Sequence, residues 1–171
     1  MEEIRFEQPG DIEAVRKIYK KVFDQPVEAE IVDTLRTSCK DLISLVALFD
    51  SQVVGHILFS PATLSSPSGT LRGMGLAPMA VLPRYQGRGI GSSLVLQGIQ
   101  HLRDRGCPYV IVLGHPEYYP RFGFIPASQR KITCQWKGVP REAFMILVLE
   151  EKIIPKTGGE ARYMDEFDTA I

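Results

Sequence analysis

The segment from Met79 to Ser92 constrains the fold of this chain more than any other part of its sequence. An apolar run ends at Pro83, and the pattern Gln86-x-x-Gly89-x-Gly91 then leads into a helical periodicity. Because glycine has no side chain, backbone N–H groups at such positions can approach a bound group closely. The N-terminus of the following helix adds unpaired donors and a partial positive charge. A strand, a glycine turn and a helix in this order predict a cradle for a pyrophosphate group.

The rest of the chain has the periodicity of one α/β domain with a mixed sheet. A short strand at residues 4–6 precedes two predicted helices, at about 12–23 and 28–38. The later elements are predicted as a hairpin over 42–59, a strand over 71–82, a helix over 89–105, and strands over 109–113, 124–126 and 143–149. The element order is βααβββ, then βαβ, then further strand, within a single domain spanning residues 1–171.

Three segments break this regular pattern. Residues 65–69, Ser-Ser-Pro-Ser-Gly, are predicted to form a loop. Gly73, Gly75 and Pro78 interrupt the strand over 71–82, which favours bends or a bulge over a flat paired strand. The tail over residues 153–171 carries no clear signal.

Composition excludes several classes of protein. The chain has 171 residues, 44% of them hydrophobic and 23% charged, as expected of a globular protein. Its formal net charge is +0, so no overall field attracts nucleic acid or an anionic membrane. Without a leader-like N-terminus or an apolar run of spanning length, we expect a cytoplasmic protein. Three cysteines and three histidines lack ligand spacing, so neither a disulfide framework nor a metal site is predicted: Cys39, Cys107, Cys134, His56, His101 and His115.

Glycine turns before helices have several phosphate-binding explanations, and spacing separates them. A Walker loop requires Lys followed by Ser or Thr after its glycines, and no such lysine follows here. The dinucleotide fingerprint requires Gly-x-Gly-x-x-Gly, whereas Gly87, Gly89 and Gly91 alternate. A tight strand-to-helix turn without any ligand remains the alternative at this point.

Two separate motifs decide between these explanations. The segment over residues 79–92 resembles the acetyl-CoA signature of the GNAT superfamily of N-acetyltransferases, Gln/Arg-x-x-Gly-x-Gly/Ala after a strand. The family's downstream signature follows a buried strand as Tyr-Tyr-Pro-Arg-Phe-Gly-Phe at residues 118–124. The resemblance covers about residues 4–149, and the second motif resembles a bacterial branch known only as N-acetyltransferases. It implies the GNAT fold, in which a splayed mixed sheet is flanked by helices.

The resemblance implies a grip on acetyl-CoA that is made mostly by main-chain atoms. In the family, the strand before the loop diverges from its neighbour and pairs with the pantetheine arm, and Met79, Ala80 and Val81 occupy those positions. The pyrophosphate positions are Gln86, Gly87, Arg88, Gly89, Ile90 and Gly91. Arg88 either adds side-chain charge to this site or is a solvated surface residue.

Acetyl transfer to an amine requires a neutral amine, stabilisation of an oxyanion and a proton for the departing thiolate. In the family, a tyrosine four residues before the glycine of the Gly-Phe pair commonly supplies that proton, which implies Tyr119. A phenol, with a pKa of about 10, is a suitable weak acid. The alternative role for Tyr119 is packing in a pocket wall. The general base stays open between water and three side chains: His56, His115 and Glu117. Other aromatic residues are expected to pack in the core or at a pocket rim: Tyr118, Phe122, Phe124 and Trp136.

Two classes of function agree with these residues. The first is an enzyme that moves acetyl from acetyl-CoA to a primary amine by direct attack in a ternary complex. The second is a non-catalytic module of the same fold that binds or senses acyl-CoA. The acceptor is unidentified, and acidic residues near the second helix either attract a cationic amine or form a solvated face: Asp24, Glu28, Glu30 and Asp33. A homodimer is also considered, because dimers are common in this fold, although the sequence offers no clear interface.

Overall fold

The computed structural model of the chain describes residues 2–170. Its three helices are α1 (Ile12–Val22), α2 (Val27–Ser38) and α3 (Ile90–Asp104). Its strands are β1 (Glu2–Phe6), β2 (Ile43–Phe49), β3 (Gln52–Ser66), β4 (Gly69–Val81), β5 (Tyr109–Leu113), β6 (Ile125–Pro126), β7 (Ile132–Cys134), β8 (Phe144–Val148) and β9 (Gly159–Arg162). The described residues group into two compact units, the first made of 2–59, 78–101 and 166–170, and the second of 60–77 and 102–165.

The first unit contains an antiparallel ladder with two amphipathic helices. Strand β1 pairs with β2, and β2 pairs with the first half of β3. Helix α1 buries Val15, Ile18 and Tyr19 at helical spacing, and α2 buries Ile31, Val32 and Leu35. The end of β4 also belongs to this unit, and the Leu82 amide donates to the Val54 carbonyl over 2.8 Å.

The second unit makes the sheet mixed. Strand β5 pairs in parallel with β4, where Met74–Leu76 face Val110–Val112, and antiparallel with β8 on its other side. Strand β6 pairs with β8, while β9 pairs antiparallel with the end of β3 and in parallel with β7. Strand β5 lies between β4 and β8 in the sheet, and its apolar run from Tyr109 to Val112 is buried.

Most predicted elements are confirmed to within a few residues, and the differences have long-range causes. The predicted loop over 65–69 shrinks to Pro67 and Ser68, because β3 continues to Ser66 and β4 starts at Gly69. The end of β3 is held by β9, which lies about a hundred residues later in the chain, so no local pattern reveals it. Strands β7 and β9 were not predicted for the same reason.

The glycines of β4 make room for tyrosine rings. A Cβ on Gly73 would lie 2.5 Å from Cζ of Tyr109, and one on Gly75 would lie 2.5 Å from Cε1 of Tyr163. Gly75 lies in regular parallel register opposite Ile111, so the predicted bend or bulge was wrong at that position. The absence of a side chain here serves packing between a strand and a ring.

Candidate active site

The glycine loop, defined as residues 86–91, leaves β4 through a short 3-10 turn over Pro83–Tyr85. Gly87 and Gly89 have φ values of +74° and +84°, in the left-handed region that other residues adopt only with strain. A Cβ at either position would meet no atom within 4 Å. These glycines are therefore required by backbone conformation, and the space above them is open.

Helix α3 begins directly at this loop. Its first intrahelical hydrogen bond runs from the Ser93 amide to the Gly89 carbonyl, over 3.0 Å. The amides of Ile90 and Gly91 precede that bond and lie at the open end of a 15-residue helix. The Ile90 side chain is buried and anchors this end. The loop and helix together present backbone donors and the positive end of the helix dipole.

The two long side chains of the loop pack back onto the first unit. Gln86 donates from Nε2 to the Val81 carbonyl over 2.9 Å, which ties the loop to the end of β4. The Arg88 guanidinium lies 5.8 Å from the centroid of the Phe49 ring and 5.5 Å from that of Tyr85. This distance is within the range of cation–π attraction. Arg88 is thus held over two rings next to the glycines, an arrangement that its sequence position did not indicate.

The parallel ladder of β4 ends at a tyrosine hydroxyl. Leu76 is the last β4 residue in register with β5, although β4 continues to Val81. The Tyr163 hydroxyl accepts from the Leu113 amide over 3.2 Å and donates to the Leu76 carbonyl over 3.0 Å. It thereby occupies the position of the next direct bond between the strands. Two residues further on, Pro78 has no N–H with which to resume a ladder.

The predicted donor strand residues continue β4 beyond this point. Ala80 and Val81 are buried, at 4% and 9% exposure, and Met79 is half-buried. These apolar side chains belong to the first unit. Tyr163, which lies in the tail that carried no sequence signal, marks the end of the register between β4 and β5.

Tyr119 lies in the second unit, in a 3-10 turn over Tyr119–Phe122 that follows β5. Its ring packs edge-on against Tyr118 and Phe124, with centroids 5.1 and 5.7 Å away, and it is 8% exposed. A Cβ on Gly114 would come within 2.4 Å of Cε2 of this ring. Within residues 2–170, the Tyr119 hydroxyl has no hydrogen-bond partner. Burial, and to a lesser extent the neighbouring phenol of Tyr118, raises the pKa of Tyr119 above its usual value.

The other aromatic residues take the packing roles predicted for them. Phe124 is buried, and Tyr118 packs against Phe122 with the Arg121 guanidinium 4.5 Å above its ring. Trp136 stacks on Tyr163 at 5.7 Å and also lines an open cleft of about 410 Å³ in the second unit.

The candidate bases differ sharply in accessibility. His56 is fully buried, and its two ring nitrogens lie 2.7 Å from the Tyr19 and Ser44 hydroxyls. Burial lowers its pKa to about 4. A buried imidazole with both nitrogens engaged cannot take a proton directly from a substrate amine, so His56 is not supported as the base. His115 and Glu117 are exposed after β5, in the same unit as Tyr119.

The acidic residues near α2 have different surroundings, and Glu28 is half-buried. Asp33 forms ion pairs with Arg16 and Arg36, so its charge is already neutralised. Asp24 and Glu30 are exposed.

In the described part of the chain, no cluster of three potential metal ligands occurs. No helix formed by residues 2–170 combines the length and the apolarity of a membrane span.

Comparison with known proteins places this geometry in a family. The model of the acetyltransferase (GNAT) domain matches residues 3–127. The chain belongs to the GNAT acetyltransferase family. It is 42% identical over 124 residues to the uncharacterized N-acetyltransferase YjhQ of Escherichia coli, covering 71% of this chain and 68% of the relative. It is 32% identical to YhbS of the same species, over 96% of this chain and 98% of the relative.

Solved structures support the same family and fold. The E. coli YhbS structure in complex with CoA aligns with a TM-score of 0.90 at 32% identity, covering 98% of this chain and 92% of that one. A Brucella melitensis GNAT acetyltransferase in complex with acetyl-CoA aligns with a TM-score of 0.77 at 33% identity, covering 98% and 99%. The predicted family, fold class and N-acetyltransferase activity are confirmed, and these complexes agree with acetyl-CoA as the donor.

Proposed function

We propose that this chain transfers an acetyl group from acetyl-CoA to a primary amine by direct attack in a ternary complex. The observation that carries the proposal is the glycine loop, where two left-handed glycines and a helix N-terminus present open backbone donors. Two relatives that share the fold over nearly the whole chain are complexes with CoA and acetyl-CoA.

The donor would be held at two adjacent parts of the first unit. The pyrophosphate would accept hydrogen bonds from the amides of residues 87–91, with Arg88 adding positive charge from its position over Phe49 and Tyr85. The pantetheine arm would pair with the main chain of Met79–Val81, which continues β4 past the end of its β5 register. Gln86 supports this geometry by joining the loop to the Val81 carbonyl.

The proposed reaction is a single addition and elimination. The amine nitrogen attacks the thioester carbonyl carbon, and the C–S bond then breaks to release the CoA thiolate. Tyr119 gives its phenolic proton to that sulfur, and the nitrogen loses one proton to a base. A hydroxyl without a protein partner supports this role for Tyr119, and its raised pKa keeps the phenol protonated near neutral pH. His115, Glu117 or a water accepts the amine proton.

We propose a cytoplasmic enzyme whose residues 1–171 act as one catalytic domain. Its acceptor is a primary amine of a small molecule, peptide or protein. The enzyme is proposed to act as a monomer or as a homodimer. Neither a nucleic acid nor a membrane is proposed as a partner.

The direct test is thiol release in the presence of acetyl-CoA and a panel of amines, peptides and aminoglycosides. Release that requires both substrates supports the proposal. Calorimetric binding of acetyl-CoA with no transfer to any acceptor would favour the acyl-CoA-binding module instead. Failure to bind acetyl-CoA at all would contradict both.

A further inference from the structure

A continuous line of polar groups runs from half-buried Glu7 and Ser44 through buried His56 and Tyr19 to the donor strand. The Ser44 hydroxyl lies 2.7 Å from Glu7 Oε2 and 2.7 Å from His56 Nε2. On the other side of the imidazole, His56 Nδ1 lies 2.7 Å from the Tyr19 hydroxyl, which lies 3.1 Å from the Pro78 carbonyl oxygen. His56 is 0% exposed and Tyr19 is 1% exposed. We call these five residues the polar chain.

The four contacts of the polar chain need four hydrogens, and its groups supply three at neutral pH. Ser44, Tyr19 and a neutral His56 each contribute one, whereas the Pro78 carbonyl and an ionised Glu7 contribute none. Burial lowers the pKa of His56 to about 4, against the opposing influence of Glu7 and Asp11 and with that of Arg36. Burial acts to raise the pKa of Glu7, but hydrogen bonds from Arg36 and Ser44 and the charge of Arg36 bring it below its usual value. Both groups therefore favour the state with three hydrogens.

Three hydrogens leave one of the four contacts without a hydrogen. When that contact lies at an end of the polar chain, the other three bonds all point in one of two directions. In the carboxylate-directed arrangement, Ser44 donates to Glu7, His56 Nε2 donates to Ser44, and Tyr19 donates to His56 Nδ1. The Pro78 carbonyl is then left without a hydrogen. In the carbonyl-directed arrangement every bond reverses, so Tyr19 donates to Pro78 and the Glu7–Ser44 contact lacks a hydrogen.

The geometry favours the carboxylate-directed arrangement. A carboxylate is the stronger acceptor, because charge-assisted hydrogen bonds are roughly twice as strong as neutral ones. The contact at Pro78, at 3.1 Å, is also longer than the other three, at 2.7 Å. Hydroxyl hydrogen bonds usually span about 2.5–3.0 Å. The charge of Glu7 thus draws the hydrogens away from the donor strand.

We propose that His56 and Tyr19 act as positioning residues for the donor strand when the polar chain holds a fourth hydrogen, which lets Tyr19 donate to the Pro78 carbonyl. Pro78 directly precedes Met79–Val81, the segment proposed to pair with pantetheine, so this inference rests on the proposed function. A fourth hydrogen completes every bond and fixes the carbonyl. A fixed carbonyl leaves the adjacent segment with less freedom to lose when acetyl-CoA binds.

Glu7→Gln supplies the fourth hydrogen without acid. Arg36 donates from both Nη2 and Nε to Oε1 of Glu7, so the amide oxygen of the glutamine takes that position, where it keeps two donors. Its NH₂ group then replaces Oε2 and faces Ser44, and only the 3.2 Å hydrogen bond from Arg36 Nε to Oε2 is lost. The amide then donates to Ser44, Ser44 to His56 Nε2, His56 Nδ1 to Tyr19, and Tyr19 to Pro78. The substitution therefore reverses the polar chain and moves the imidazole proton from one nitrogen to the other.

The test is the His56 tautomer at pH 7, measured by two-bond ¹H–¹⁵N correlation in ¹⁵N-histidine-labelled protein. We expect Nε2–H in the wild type and Nδ1–H in Glu7→Gln. The matched control, Glu142→Gln at an exposed turn, should keep Nε2–H. Nδ1–H in the wild type, or the same tautomer in the wild type and Glu7→Gln, would overturn the proposal. The wild-type measurement decides on its own if the variant does not fold.

Donor affinity tests whether the polar chain acts on the strand. We expect Glu7→Gln to lower the acetyl-CoA Kd about threefold, the effect of one modest hydrogen bond. Adding Tyr19→Phe should return the Kd to the wild-type value, because the hydroxyl that reaches Pro78 is gone. A reversed tautomer with an unchanged Kd would refute the positioning role and leave the proposed function intact. A wild type that binds no acetyl-CoA would instead refute the proposed function, whatever tautomer His56 adopts.

Discussion

The glycine loop of the first unit and the Tyr119 segment of the second contribute to the proposed reaction through different atoms. The loop is exposed and contributes backbone amides. Its glycines Gly87 and Gly89 have φ values of +74° and +84° and place no side chain over those amides. The Tyr119 segment is packed with aromatic rings and offers one hydroxyl that has no partner among residues 2–170. The loop depends on positions without side chains, whereas the Tyr119 segment depends on one hydroxyl group.

This difference sets how each region should respond to substitution. Adding a side chain to the loop should harm donor binding, because it fills open space above the amides. Removing one oxygen from Tyr119 should leave binding intact and slow the chemical step. The two regions are therefore separable by measuring Kd and kcat independently.

The largest expected effect is on the loop, from Gly89→Glu. A glutamate at φ +84° carries a backbone strain of about 1–2 kcal/mol. Its carboxylate near a pyrophosphate adds repulsion on the order of 1–4 kcal/mol. We expect the acetyl-CoA Kd, measured by calorimetry, to rise about a hundredfold or more.

Gly106→Glu is the matched control for this loss. Gly106 also has a positive φ, +73°, and open space around its Cβ position, but it ends α3 rather than beginning it. Its substitution should lower stability by a similar amount and leave the Kd unchanged. Equal Kd values for wild type and Gly89→Glu would show that this loop does not bind the pyrophosphate.

Tyr119→Phe should lower kcat rather than raise the Kd for acetyl-CoA. The ring and its packing remain, so the acetyl-CoA Kd should stay within about twofold, while kcat falls about a hundredfold with the loss of a general acid. Tyr118→Phe is the control, because that ring packs against Tyr119 and Phe122 and has no proposed chemical role. Undiminished kcat in Tyr119→Phe would assign the proton to water.

Gly114→Ala tests whether the position of the Tyr119 ring matters. The added methyl would lie 2.4 Å from Cε2, so the ring must move. Overpacking of this kind destabilises a fold by about 1–3 kcal/mol. We expect kcat to fall about tenfold although the phenol is still present. Gly10→Ala, where a Cβ meets nothing within 4 Å, controls for the substitution itself. A kcat equal to that of Gly10→Ala would mean that the reaction tolerates a displaced Tyr119 ring.

The two regions also differ in how far the sequence could predict them. The loop was predictable because its geometry is local: a strand, a turn and a helix follow each other within 14 residues. The motif around Tyr119 was found by family resemblance, yet its support by Gly114 was not, because that contact exists only once the turn folds back. Tyr163 and β9 were missed because their partners, Leu76 and the end of β3, are distant in sequence. His56 was read as a candidate base because burial by neighbouring elements leaves no trace in its local pattern.

The smallest expected effect falls on Arg88, the side chain in the loop that bears a charge. Its guanidinium lies over Phe49 and Tyr85, so its direction is already fixed before any ligand binds. An exposed charge near a bound phosphate contributes on the order of 0.5–1 kcal/mol. Arg88→Ala should therefore raise the acetyl-CoA Kd about threefold, and this increase should shrink in high salt. Arg88→Lys keeps the charge but loses the planar stack, so it separates attraction from orientation. If Lys restores the wild-type Kd, charge alone acts; if it behaves like Ala, the loop depends on one side chain being held in place, and the contrast between its backbone and the Tyr119 side chain is less sharp than the glycines indicate.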